Sequence, residues 1–106
     1  MKRLISAKEA LQFYNDNPLL RGGFGVDFGT LCTALDKHAE EPKFASFRYV
    51  FPNHHRNIQA TVHGGALATM IDVITTVGIL RMTPNRTISI SLNTEFLSVI
   101  KVGEEV

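Results

Sequence analysis

The stretch NIQATVHGGALATMIDVITTVGIL, Asn57 to Leu80, decides how this chain is read. From Gly65 to about Arg81 it is nearly continuous in apolar residues, which predicts one buried helix closed by Thr83-Pro84-Asn85. Asp72 interrupts that helix. It lies two turns past Gly65, too far along to serve as a first-turn carboxylate. Its neighbours at helical spacing are Ala68, Thr69, Thr75 and Thr76. A solvated helix face would carry Lys, Glu and Arg, so this narrow stripe of small residues predicts the wall of a crevice. An acid in a crevice is costly without a partner or a task.

The residues ahead of the helix supply a task. Gly64 and Gly65 would leave backbone N–H groups at the helix start unshielded, a ready place for a carbonyl oxygen or an oxyanion. Asn57, six residues before His63, offers an amide donor from the same loop. A carbonyl-holding end and a carboxylate two turns away suit attack on a polarised carbonyl, with Asp72 as general base or nucleophile. The glycine pair alone is a weak signal. Asn57, His63, Gly64 and Asp72 together make a stronger one.

A membrane-spanning reading of Val62 to Met82 fails on content, because Asp72 would sit near the bilayer centre. Being apolar nearly all round instead predicts a central helix covered by a sheet.

Working outward, Ser6 and Glu9 form an S-x-x-E capping box. An amphipathic helix follows it, with Ala10, Leu11, Phe13 and Tyr14 as its apolar stripe and Asn17-Pro18 as its stop. The Lys2, Arg3 and Lys8 flank is no secretory leader, since the apolar runs are too short. A mitochondrial presequence is the minority reading. RGGFG (21–25) is a turn, FGTLCTALDK (28–37) a predicted strand and HAEEPK (38–43) a polar break. In FASFRYVFP (44–52), Ala45, Phe47, Tyr49 and Phe51 share a wholly apolar face, as in a half-buried antiparallel strand. RTISISLNTEFLSVI (86–100) alternates with period two and predicts a long strand.

With 106 residues, 44% of them hydrophobic, the chain reads as one domain. The predicted layout is an N-terminal helix within 1–20 and a core over 28–106. Eleven basic residues against ten acidic, without a cluster, exclude a nucleic-acid partner. The single cysteine, Cys32, rules out an internal disulfide and reads as a small buried hydrophobe rather than a nucleophile. A cytoplasmic or mitochondrial, non-secreted protein is expected. His54, His55 and His63 could ligate a metal, but no acid or cysteine recurs at ligand spacing, so none is expected. Met70 and Met82 read as core filler. Arg81, Arg86 and Lys101 could meet phosphates, though scattered surface charge is the default reading.

Asn57, His63-Gly64-Gly65 and Asp72, followed by Ser89-x-Ser91-Leu92-Asn93-x-x-Phe96-Leu97, resemble the hotdog-fold acyl-CoA thioesterases of the phenylacetate-pathway and mammalian thioesterase-superfamily type. The resemblance is strongest from Asn57 to Val106. It implies an α+β hotdog fold, a curved antiparallel sheet wrapped around one long helix, assembled as homodimers or homotetramers. It also implies hydrolysis of acyl-CoA thioesters with no cofactor beyond the coenzyme A of the substrate. Asp72 would be general base or nucleophile, and the Gly64 N–H and Asn57 amide would hold the carbonyl oxygen across a dimer interface. Ser89 would position the attacking water, with Ser91 as fallback if the register slips, and His63 would shape the loop.

Members of that family continue for about three more strands beyond Val106. The chain is therefore expected to show a sheet gap with unpaired edges, as a truncated form or one completed by a partner. A non-catalytic hotdog interaction module or inactive remnant is the alternative. A hotdog dehydratase fits less well, since it would want a histidine placed for proton transfer.

Overall fold

The structure is a computed structural model that describes residues 4–18, 23–24, 26–37, 40–41, 44–85 and 87–106. Arg86 and parts of the 21–25 turn, the 38–43 break and the basic N-terminal flank lie outside those residues. The first helix, α1 (Ala7–Asn15), begins where the capping box places it: Ser6 Oγ accepts from the Glu9 N–H at 3.0 Å. Its buried residues are Ala7, Ala10 and Leu11.

The next segment differs from the strand expected over 28–37. A short helix, α2 (Val26–Thr30), comes first, and β1 runs only from Cys32 to Leu35. Close packing against α1 is the reason. Asn15 Nδ2 donates to the Gly29 carbonyl at 3.0 Å, and a Cβ at Gly29 would fall 2.2 Å from Asn15 Oδ1. Only glycine lets α1 and α2 approach this closely, and the helical turn carries Phe28 into the core at 3% exposure.

β2 (Ser46–Tyr49) pairs antiparallel with β1, Cys32 opposite Tyr49 and Leu35 opposite Ser46. The alternation is as expected: Tyr49 and Phe51 are buried, while Arg48 is exposed. Tyr49 exchanges two 2.9 Å backbone hydrogen bonds with Val106, and Gly103 N–H donates to the Phe51 carbonyl. The chain's last residues thus lie along the other edge of β2.

After a 3₁₀ turn at Asn53–His55 comes α3 (Gly64–Leu80), one unbroken helix. α1 and α2 pack on it, and Val73 and Val77 join Leu11, Phe28, Cys32, Tyr49 and Phe51 in one core. Most of its other residues are only half-buried, so its cover is less complete than its composition predicts. On the open side, Ile74 and Gly78 border an apolar groove with Phe44 and Phe47. Met70 packs against the core, whereas Met82 is exposed beside that groove. Arg81 is not a surface charge. It is 1% exposed, its Nε donating to the Ile5 carbonyl at 3.0 Å and its Nη1 to the carbonyls of Glu41 and Phe44. It ties the end of α3 to both the N-terminal segment and the approach to β2.

The long strand expected over 86–100 is absent among the described residues. Residues 87–100 join no ladder, and Ile88, Ile90 and Leu97 are 88%, 97% and 88% exposed. A strand needs a neighbour for its N–H and C=O groups. Here only Ile100, accepting from Val62 N–H at 2.8 Å, and the Thr61–Lys101 bridge begin to supply one.

Candidate active site

The entry to α3 is built by its own residues. His63 is the N-cap, its Nδ1 accepting from Gly65 N–H at 2.9 Å. A Cβ at Gly65 would press against that ring, 3.1 Å from Nδ1, so the glycine is what lets the imidazole cap the helix. With Gly65 N–H capped and Leu67 N–H bonded to the His63 carbonyl, Gly64 N–H has no acceptor among the described residues. The Phe96 ring lies beside Gly64, its Cζ 3.6 Å from where a Cβ would stand.

Asn57 is half-buried in the loop before His63, and its side chain works hard there. Oδ1 accepts from Gln59 N–H (2.9 Å) and Thr61 N–H (3.1 Å), while Nδ2 donates to Thr61 Oγ1 at 3.0 Å. These bonds close a tight loop in which Ala60 takes a φ of 62°, unusual for a residue with a side chain. Asn57 and His63 border a common cavity. One amide hydrogen of Asn57 remains to point at a ligand.

Asp72 is half-buried midway along α3. The Ser89 hydroxyl donates a short hydrogen bond to Asp72 Oδ1, bringing together two predicted site residues 17 apart in the chain. The threonines beside Asp72 behave differently from a polar stripe. Thr69 donates to the Gly65 carbonyl, Thr75 to Ile71 and Asp72, and Thr76 to Asp72, so their hydroxyls are consumed by the helix backbone.

Tyr14 was no part of the expected site, yet it stands close enough to sense Asp72. Burial, and secondarily the Asp72 charge, push its phenol above the usual range. Its helical stripe position marked it only as core. Next to it a cavity of about 380 Å³ opens between α1, the Thr76–Leu80 turn of α3 and Thr87–Ile88.

Within one chain Gly64 and Asp72 cannot serve the same carbonyl. Two helical turns separate them, roughly 12 Å at about 1.5 Å per residue. Cys32 is buried, and burial pushes its thiol up to about 11, which removes it as a nucleophile at neutral pH. Among the described residues no helix is long and apolar enough to cross a membrane. Asp27, on α2, meets His54 and His55. The hydrogen bond from His54 outweighs partial burial and, with a second contact from His55, holds the Asp27 carboxyl below its ordinary value.

Residues 59–106 match the sequence profile of the thioesterase superfamily. No curated protein matches the chain in sequence. In structure it is similar to thioesterase superfamily member 2 from Mus musculus, with a TM-score of 0.68 and 22% identity over 96% of this chain and 70% of that one. The zebra fish thioesterase superfamily member 2 gives 0.69 and 24% over 92% of this chain and 66% of that one. The fold is therefore the hotdog fold: α+β, with an antiparallel sheet and one long helix.

Proposed function

With a thioesterase-superfamily match over 59–106 on a hotdog frame as the premise, we propose that this chain hydrolyses acyl-CoA thioesters. The observation that carries the reading is the Ser89–Asp72 hydrogen bond. A half-buried carboxylate held by a hydroxyl is oriented and partly shielded from water. Both properties suit a general base or a nucleophile. As a base, Asp72 takes a proton from water while the water oxygen attacks the thioester carbon, and the thiolate of coenzyme A then leaves. As a nucleophile, it attacks the thioester carbon and displaces the thiolate of coenzyme A, forming a mixed anhydride that water then cleaves to the free acid and the carboxylate.

The carbonyl oxygen would be held by the free Gly64 N–H and the remaining amide hydrogen of Asn57. Because Gly64 and Asp72 lie two turns apart, the carbonyl bound at one protomer's Gly64 would be attacked by the carboxylate of another. The reading therefore requires a homodimer or a higher assembly. His63 acts through the loop, capping α3 so that the Gly64 N–H stays available.

A second reading, a non-catalytic hotdog module, is favoured by one observation. Residues 87–100 present an exposed apolar face with no ladder among the described residues, as a surface for a partner would.

Asp72→Asn separates the two. It is nearly isosteric, still accepts from Ser89, and removes the base and the anionic nucleophile. Thiol release from a panel of acyl-CoAs should fall by a factor on the order of 10² to 10⁴ in kcat. Thermal stability should hold or rise slightly. Equal hydrolysis by wild type and variant would overturn the mechanism, and no hydrolysis by a dimeric wild-type protein would favour the module.

A further inference from the structure

Asp27 is in the first turn of α2, and His54 and His55 form the 3₁₀ turn well downstream of it. The fold brings their polar ends to one point. His54 Nε2 lies 2.8 Å from Asp27 Oδ2, and His55 Nε2 lies 3.3 Å from the same oxygen. One ligating atom from each of the three falls within 4.8 Å of the others. In a tetrahedral zinc site, with metal–ligand bonds of about 2.0–2.2 Å, ligand atoms stand roughly 3.4 Å apart. The observed separations, from 2.8 Å up to at most 4.8 Å, bracket that value, and the differences are within the reach of side-chain torsions.

The three side chains divide the work of such a site. His55 is the rigid one: its side chain is 11% exposed, stacked on Phe28 at 4.9 Å and 16°, with Phe51 edge-on at 6.1 Å. The His54 ring stands at 77° to it, 4.6 Å away, so the two Nε2 atoms converge without the rings colliding. His54 and Asp27 are 67% and 36% exposed and can adjust to an ion. They also leave a fourth position open toward a cavity of about 560 Å³ that reaches His63 and Gly65 at the start of α3. Sequence spacing offers the histidine pair no acid; the fold supplies Asp27.

We propose that Asp27, His54 and His55 form a binding site for a divalent cation of the zinc class, with three protein ligands and one open position. Two imidazoles and a carboxylate are the donor set such borderline ions take. An ion there clamps α2 to the turn that leads into α3. Each imidazole binds through the lone pair of Nε2, so its ring proton sits on Nδ1 and any Nε2 proton is released to solvent on binding. His55 Nδ1 is buried without a hydrogen-bond partner among the described residues. Ring stacking, not a hydrogen bond, sets its angle. A missing hydrogen bond of this kind typically costs about 10–100-fold in metal affinity relative to a site that has one. The proposal is independent of thioester hydrolysis.

The test is calorimetric titration of Zn²⁺ into the untagged chain after chelator treatment, with Co²⁺ absorption as a second readout of coordination. One ion per chain is expected, with an accompanying rise in Tm. Asp27→Asn keeps hydrogen bonding but loses the anionic ligand, and His54→Ala removes an exposed ligand. Each should weaken binding at least about tenfold, with the circular dichroism of the wild type retained. His63→Ala should leave the affinity unchanged. Absence of stoichiometric binding, binding indifferent to both Asp27→Asn and His54→Ala, or loss of binding in a folded His63→Ala chain would each overturn the assignment.

Discussion

α3 and the segment 87–100 are both rich in apolar residues, yet one is a finished element and the other is not. α3 satisfies its backbone internally and closes its start with its own His63. A helix makes its hydrogen bonds along its own chain, so this apolar run folds without a neighbouring strand. Residues 87–100 alternate with period two, but a strand's hydrogen bonds belong to its neighbours. Sequence pattern specifies which faces a strand would have. It does not specify a partner.

The broadest test of that contrast is hydrogen exchange. Amides around Val73 and Val77 should exchange through opening of the core, while those of 87–99 should exchange almost as free peptide. The difference should be on the order of 10³-fold or more. Comparable protection in both regions would mean that the 87–100 segment is paired in solution, and the contrast would fail.

A smaller effect is expected at the far end of α3. Arg81→Met keeps much of the apolar stem but abandons the carbonyls of Ile5, Glu41 and Phe44. Charge-assisted bonds of this kind carry about 1.5–3 kcal/mol each when lost singly. A total cost of roughly 2–4 kcal/mol, read by denaturant unfolding, is expected. A loss below about 1 kcal/mol would show that packing and the backbone bond from Ile5 N–H to the Arg81 carbonyl hold the helix end without the guanidinium.

Asn57 sharpens the comparison at the near end. Asn57→Ala opens the 57–61 loop and should cost about 1–2 kcal/mol as well as activity. Asn57→Asp keeps the oxygen that accepts from Gln59 and Thr61, so it should retain most of that stability. It replaces the amide donor with an anion, however, and should lower kcat by roughly 10²-fold or more. Equal activity in Asn57→Asp and wild type would remove Asn57 from the carbonyl site.

The smallest effect at neutral pH lies in the core. Burial raises the Cys32 thiol from its ordinary value to about 11. Below about pH 8 the thiol is protonated in both folded and unfolded chains, and it contributes no pH dependence. Between about pH 9 and 11 the unfolded chain loses this proton first, so stability should fall with rising pH. Cys32→Ala should flatten that part of the urea-unfolding profile. An unchanged profile would place the titration elsewhere.

Local signals were legible and proved sufficient where the physics is local. Ser6 and Glu9 marked the start of α1, the apolar run before Thr83-Pro84-Asn85 marked α3, and alternation marked the buried face of β2. The helical turn at Phe28-Gly29 was not legible, because it answers to Asn15 on another element. Nor was the burial of Arg81, whose acceptors are carbonyls on two distant segments. The donors around Asn57 could be named from sequence, but not that Thr61 takes one of them.

By itself, then, the sequence determined α1 and α3, the buried face of β2 and the residue types proposed for the candidate site, since each depends on neighbours a few positions away. Tertiary structure alone decided that Ser89 meets Asp72, that Tyr14 comes within electrostatic reach of Asp72, and that Asp27 joins His54 and His55. Those contacts join residues many positions apart in the chain. Their geometry depends on how whole elements pack, and no local period or spacing encodes that.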